Sequence, residues 1–136
     1  MQDPGRLFTV AEVNALLPQL RGILETLRAA RENLRRVQEE LAAHAGGGAK
    51  SNGHVAPDNA VARLTQAAEA EQARILAAAQ AIAALGGELK DPDRGMVDFR
   101  TLREGRVVYL CWLMDEPAVQ FWHELEGGYA GRQPLD

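Results

Sequence analysis

Apolar residues recur every seven positions through the first third of the chain, and this repeat constrains the fold more than any other feature. One column of the repeat comprises Val13, Leu20, Leu27, Leu34 and Leu41, and a second, three residues further on, comprises Leu16, Ile23, Ala30 and Val37. Two such columns form one apolar stripe along an α-helix. We therefore predict a helix over residues 9–44, started by a capping box between Thr9 and Glu12. Pro18 lies inside this helix and predicts a kink or a restart.

A second helix is predicted over residues 59–85. Its apolar stripe is Val61, Leu64, Ala68, Ile75, Ala78, Ile82 and Leu85, and alanine dominates the remainder. Small residues allow two helix backbones to approach closely, so this helix is expected to lie antiparallel to the first in a coiled-coil-like hairpin. Residues 45–58 between the helices are rich in glycine and polar residues, which is typical of a flexible linker.

After Gly86 and Gly87 the apolar period changes from 3.6 to 2, which predicts β-structure. Strands are expected over residues 88–90, 96–100 and 107–114, separated by turns. The last of these has apolar side chains on both faces, as a central strand requires. One face should contact the helical hairpin, and the other should contact the C-terminal tail or a second subunit. The prediction is one α+β domain over residues 1–136, with a long antiparallel two-helix hairpin packed on a small antiparallel sheet formed by residues 86–136.

Charge and composition exclude several classes of function. The net charge is −4 and the isoelectric point is about 5.4, which argues against a protein that binds nucleic acid or a membrane surface through a positive field. The single cysteine, Cys111, rules out an intrachain disulfide and is interpreted as a small buried hydrophobe. The sequence has neither a long apolar run nor a secretory leader, so a cytoplasmic location is expected.

Residues 107–135 hold both tryptophans, both tyrosines and the cysteine, and they are the candidate functional region. His123 with Glu116 or Glu124, near Asp98 from an earlier strand, offers the side chains of an acid/base pair. The Gly-rich segment around Tyr129 could bind an anion, with Arg132 as a forked donor. The ligand-binding candidates are Trp112, Trp122, Tyr129 and Arg132.

A metal site is not assigned, because HELEG at residues 123–127 lacks the second histidine of a zincin helix. On a strand, His123 and Glu124 would also point to opposite faces and could not share a ligand. The favoured interpretation of His123 is a packed corner in which it contacts Trp122 or hydrogen-bonds Glu116 or Asp98. Residues 118–126 fit either a helix capped by Asp115 or a strand.

Three segments carry a resemblance to a known family. They are FTVAEVNALLPQL at residues 8–20, GGELKDPDRGMVDF at 86–99 and LCWLMDEPAVQFWHELEGGYAGRQPL at 110–135. Together they resemble an uncharacterised bacterial family, domain of unknown function family 2203, over nearly the whole chain. The resemblance implies no activity. It does imply two strands joined by a turn around Glu116, because members commonly have a glycine, a residue typical of turns, where this chain has Asp115. We predict the same strand, turn, strand arrangement here.

The function expected from the sequence is that of a small interaction or assembly module with an anionic-ligand site at the sheet end. A homodimer, or a protein partner bound through the helical hairpin, would cover the remaining apolar surface. The alternative is a small acid/base or metal-assisted enzyme that uses His123 with Glu116 or Glu124. No cofactor, substrate or partner is identified by any motif.

Overall fold

The computed structural model describes residues 5–47 and 58–136 and confirms the α+β class. Two helices that pack together precede a five-stranded antiparallel sheet. The helices are α1 (Val10–Gly47) and α2 (Asp58–Ala84). The strands are β1 (Glu88–Asp91), β2 (Met96–Arg103), β3 (Arg106–Leu113), β4 (Phe121–His123) and β5 (Gln133–Pro134), with a 3-10 turn at Tyr129–Gly131. The predicted linker over residues 45–58 falls largely on residues 48–57, which lie outside the described residues.

The start of α1 follows the predicted capping box. The Glu12 amide donates to Thr9 Oγ1 at 3.1 Å, and the Thr9 amide donates to Glu12 Oε1 at 2.8 Å. The helix then continues through Pro18 without a restart. Neither α1 nor α2, over the residues described, has the apolar run that a membrane-spanning helix needs.

The chain divides into two compact units, residues 1–25 with 78–136 and residues 26–77. The second unit consists of helical segments over its described residues, and its buried apolar side chains include Leu27, Ala30 and Ala68. Its exposed surface carries an ion pair of Arg35 with Glu39 at 2.5 Å. Such an exposed pair contributes little to stability, because solvent screens both charges.

The first unit contains the sheet, whose strands follow one another in the order β1-β2-β3-β4-β5. Register pairs Val97 with Trp112 and Phe99 with Leu110, and Leu110 with Trp122 in the next strand. These residues share one face, which we call the inner face, because it contacts the helical part of this unit. Phe8 packs edge-on against Phe99 with ring centroids 5.0 Å apart, and the Arg21 guanidinium lies 5.3 Å from the centre of the Trp112 ring.

The apolar stripe of α1 in this unit differs from the predicted one. Leu17 and Leu24 are buried together with Val13 and Leu20, whereas Leu16 and Ile23 are only half-buried. The second column therefore begins four residues after Val13 rather than three. The heptad spacing permits a second column either three or four residues after the first. The sequence does not determine which of the two columns packs against other buried residues.

The ambiguous segment over residues 118–126 contains β4, so the predicted strand, turn, strand arrangement is confirmed. Asp115 has an ordinary negative φ, so the turn needs no glycine at this position. β2 extends beyond its predicted end at residue 100 to Arg103, which pairs with Arg106 across the two-residue turn Glu104-Gly105.

Candidate functional site

The outer face of the sheet, opposite the inner face, carries a layer of buried polar side chains. Register places Asp98 of β2 opposite Cys111 of β3, and Tyr109 of β3 opposite His123 of β4. Asp98 and Cys111 are 0% exposed and His123 is 1% exposed. Because side chains alternate between faces, three neighbouring strands bring these groups to one place.

Asp98 and His123 form a buried hydrogen-bonded pair. His123 Nε2 lies 2.8 Å from Asp98 Oδ2, and His123 Nδ1 lies 2.7 Å from the backbone carbonyl oxygen of Glu124. A carbonyl oxygen only accepts, so Nδ1 carries a proton and donates it. A further proton is then shared between Nε2 and the carboxylate, since two bare lone pairs would repel at this distance. The pair is oriented as an acid/base pair or a metal-binding histidine would be.

Burial controls the ionisation of this cluster. Loss of solvation raises the pKa of the Asp98 carboxyl above its ordinary value of 3.8, and the neighbouring His123 offsets only part of this rise. Burial, together with the Asp98 charge, raises the pKa of the Cys111 thiol to about 12. Cys111 therefore remains protonated at neutral pH unless a stronger positive charge comes close to its sulfur.

Three potential metal ligands meet at this point. One ligand atom each from Asp98, Cys111 and His123 lies within 4.8 Å of the other two. The second carboxylate oxygen, Asp98 Oδ1, is buried and has no hydrogen-bond partner among the described residues, although the Cys111 thiol interacts with the carboxylate. A buried carboxylate oxygen without a partner costs free energy, so this atom would gain from a ligand.

Asp98 and His123 also line a cleft of about 360 Å³. The other lining residues are Lys90, Asp91, Met96, Leu125, Glu126, Gly128 and Tyr129. Three carboxylates and one ammonium group border this space. The Lys90 ammonium is engaged by Glu88 at 3.5 Å and by the Tyr109 ring at 4.3 Å, and the Asp91 carboxylate is engaged by Arg94 at 3.7 Å, so Asp98 and Glu126 supply the excess negative charge. The cleft is therefore electrostatically suited to a positive guest.

A second polar group holds the C-terminal tail on the outer face. Arg132 donates to both carboxylate oxygens of Glu116, at 2.7 and 2.8 Å, and to the Cys111 carbonyl at 3.3 Å, and its guanidinium lies 4.1 Å from the centre of the Phe121 ring. Glu116 also accepts from the Leu113 amide at 2.9 Å. Arg132 of the tail therefore contacts the outer side of β3 and β4, and the tail is one of the two partners predicted for that face.

The structure separates the residues of the predicted catalytic set. His123 bonds Asp98, whereas Glu116 bonds Arg132, and the Glu124 carboxylate bonds Arg106 on the exposed surface. His123 and Glu124 point to opposite faces, as was predicted for a strand at this position. The hydrogen bond to Asp98 is one of the alternatives that the sequence left open for His123.

The predicted ligand-binding set is also divided by the sheet. Trp112 and Trp122 lie on the inner face, by register with Val97 and Leu110. Arg132 lies over Phe121 on the outer face, and its guanidinium is 5.4 Å from the centre of the Tyr129 ring. The two tryptophans and Arg132 therefore do not surround one ligand. Of the four residues, only Tyr129 lines the cleft.

Sequence reasoning missed the role of Cys111 as a neighbour of Asp98 and His123. The three residues are 13 and 12 positions apart along the chain, which matches no metal-binding motif. The signal that could have found them is the alternation of sides: with β2, β3 and β4 paired as hairpins, Asp98 and Cys111 have to share a face.

Comparison with known proteins adds membership of a family but no activity. No curated protein and no solved structure matches this chain. One family, described as an uncharacterized conserved protein (DUF2203), matches residues 6–135. That range includes both helices, all five strands and the outer-face cluster of Asp98, Cys111 and His123. The chain therefore belongs to the DUF2203 family.

Proposed function

We propose that this chain is a small-ligand-binding protein whose cleft on the outer face of the sheet takes a small cation. The observation that carries the proposal is Asp98, which is completely buried at the cleft and keeps one carboxylate oxygen without a partner among the described residues. A positive ligand would supply the missing interaction and lower the cost of the buried charge.

The charges around the cleft support a cation rather than an anion. Asp98 and Glu126 border the cleft together with Asp91, whose carboxylate is paired with Arg94 at 3.7 Å, and the lining ammonium group of Lys90 lies close to Glu88. The anion expected from the sequence would depend on Arg132. That guanidinium already donates to both oxygens of Glu116, so its charge is largely neutralised within the chain.

The test is a thermal-shift screen in which divalent cations and 1,4-diaminobutane are compared with phosphate and citrate. A cation at about 100 times its dissociation constant adds about 2.7 kcal/mol to the free energy of unfolding, which raises the melting temperature by several degrees. Asp98→Asn should abolish the shift. Glu124→Gln is the matched control, because Glu124 is an exposed carboxylate engaged by Arg106 and should leave the shift intact.

The proposal is wrong if only anions raise the melting temperature, or if the cation shift persists in Asp98→Asn. The acid/base alternative now depends on the Asp98–His123 pair instead of Glu116 or Glu124, and no reaction is assigned to it. The homodimer expected from the heptad repeat stays a prediction. Sedimentation velocity at micromolar concentration would measure it directly, and a monodisperse monomer would contradict it.

A further inference from the structure

We infer that the cation of the proposed function is a borderline divalent metal ion of the zinc class, bound by Asp98, Cys111 and His123. This inference rests on the proposed function and names its ligand. Sulfur, imidazole nitrogen and carboxylate oxygen are the donors that zinc and cobalt(II) accept, whereas magnesium and calcium prefer sites made only of oxygen. The thiolate therefore favours zinc or cobalt(II), which bind sulfur well, over magnesium or calcium, which prefer oxygen.

The geometry meets the requirements of such a site before any ion binds. The three ligand atoms lie within 4.8 Å of one another, and each comes from a different strand of a paired sheet, so the backbone holds them in place. Small side-chain rotations would bring them to the 2.0–2.3 Å that zinc–ligand bonds require.

The imidazole is already oriented as a metal ligand. Its Nδ1–H donates to the Glu124 carbonyl at 2.7 Å, which leaves Nε2 directed at the Asp98 carboxylate. Metal-binding histidines commonly donate their other ring nitrogen to a backbone carbonyl or carboxylate in this manner. The metal would replace the proton now shared between Nε2 and Oδ2.

The charges balance when the ion binds. One carboxylate and one thiolate together carry two negative charges, which match a divalent ion, and the imidazole is neutral. The thiol proton and the shared proton are released to solvent, and no oxidant or reductant is needed. Arg132, which lies beside Cys111 and is itself paired with Glu116, would help to stabilise the thiolate.

Three protein ligands leave a fourth position on a tetrahedral ion, as in zinc sites that bind water or substrate. Asp98 and His123 line the cleft, whereas Cys111 is not among its lining residues. The fourth position would therefore face the cleft. Its guest would be a small molecule with a nitrogen or oxygen donor, of a size that fits about 360 Å³.

The experiment is a titration of the full chain, first treated with a chelator, with cobalt(II), followed by competition with zinc. Thiolate coordination gives cobalt(II) an intense near-ultraviolet charge-transfer band, and tetrahedral coordination gives strong visible bands. We expect both sets of bands in the native chain. Cys111→Ser should lose the charge-transfer band, and Asp98→Asn and His123→Gln should each weaken binding about 100-fold or more.

Glu124→Gln is the matched control, since the Glu124 carboxylate is exposed, is paired with Arg106 and lies outside both the cleft and the ligand set. It should change cobalt affinity by less than about threefold, as loss of one screened surface charge would. Far-ultraviolet circular dichroism of each variant checks folding. If Cys111→Ser does not fold, the charge-transfer band of the native chain still reports whether sulfur coordinates the ion.

Two results would overturn the inference. Cobalt that binds without a charge-transfer band would show that Cys111 is not a ligand, although the proposed function would stand if Asp98→Asn removed that binding. No binding of cobalt or zinc at millimolar concentration would exclude a metal of this class. The proposed function would then depend on the 1,4-diaminobutane arm of the thermal-shift screen, so the two failures are distinguishable.

Discussion

The ion pair between Glu116 and Arg132 should be costly to break by removing one partner, and a double-mutant cycle can measure the coupling between the two side chains. Both side chains are mostly buried, with 15% and 10% of their surfaces exposed, and the guanidinium reaches both carboxylate oxygens within 2.8 Å. The variants are Arg132→Met, which keeps the apolar stem over Phe121, Glu116→Gln, which keeps the acceptor for the Leu113 amide, and the double variant.

The expected magnitude follows from burial. Arg132→Met leaves the Glu116 carboxylate in a site with little solvent, and removing one partner of a buried pair costs about 3–5 kcal/mol. Glu116→Gln should cost less, because the amide oxygen can still accept the same hydrogen bonds. The coupling energy of the cycle should be roughly 1–3 kcal/mol. For a chain of 136 residues, each kcal/mol lowers the melting temperature by about 4 °C.

The assay is urea unfolding of the four proteins, with unfolding free energies compared at constant m-value. The matched control is the same cycle on Arg106 and Glu124, which form an ion pair on the same sheet but are about half exposed. That cycle should give a much smaller coupling energy, because solvent screens the exposed charges. If Arg132→Met cost no more than Arg106→Met, Arg132 would not anchor the tail, and the anion site predicted from the sequence would gain support.

Two further predictions follow from single positions. Gly86→Ala should lower the unfolding free energy by roughly 2–5 kcal/mol in urea unfolding, since Gly86 has φ +95° and an added Cβ would lie 2.3 Å from Phe8 Cζ. The control Gly105→Ala, at φ +83° with open space around it, should lower it by only about 1–2 kcal/mol. Equal losses would show that the contact with Phe8 does not contribute. Glu104→Asn should raise the melting temperature by a few degrees, because Glu104 has φ +51° in a two-residue hairpin turn that favours Asn-Gly, and an unchanged melting temperature would count against strain at this turn.

The fold was largely predictable because its signals are local. The capping box of Thr9 and Glu12, the helical period of the heptad repeat and the change of period at Gly86 each act within a few residues, and the structure has the helix and the strands that they predict. The column that α1 buries was not predictable in the same way. Leu17 and Leu24 are buried instead of Leu16 and Ile23, and that choice depends on which residues distant in sequence meet the helix.

The candidate site was less predictable because its contacts are non-local. His123 and Asp98 are 25 residues apart, and Glu116 and Arg132 are 16 apart, so no spacing rule joins them. The sequence identified these chemical groups but could not choose among their partners. For catalysis it paired His123 with Glu116 or Glu124, which are nearer in the chain, and it left Asp98 as one of several hydrogen-bond partners in a packed corner; strand register selects Asp98.

The outer-face cluster is difficult to explain as a device for stability. A buried pair such as Asp98 with His123 contributes little net free energy, and apolar residues of similar volume at such positions often stabilise a protein as well or better. Asp98 Oδ1 makes the arrangement costlier still, since it is buried without a partner among the described residues. Cys111, directly opposite Asp98, adds a third polar group to this buried layer, because its thiol interacts with the carboxylate. The cost of the cluster is therefore best accounted for by a ligand that uses all three groups, and a divalent metal ion is the ligand whose charge and preferred donors match them.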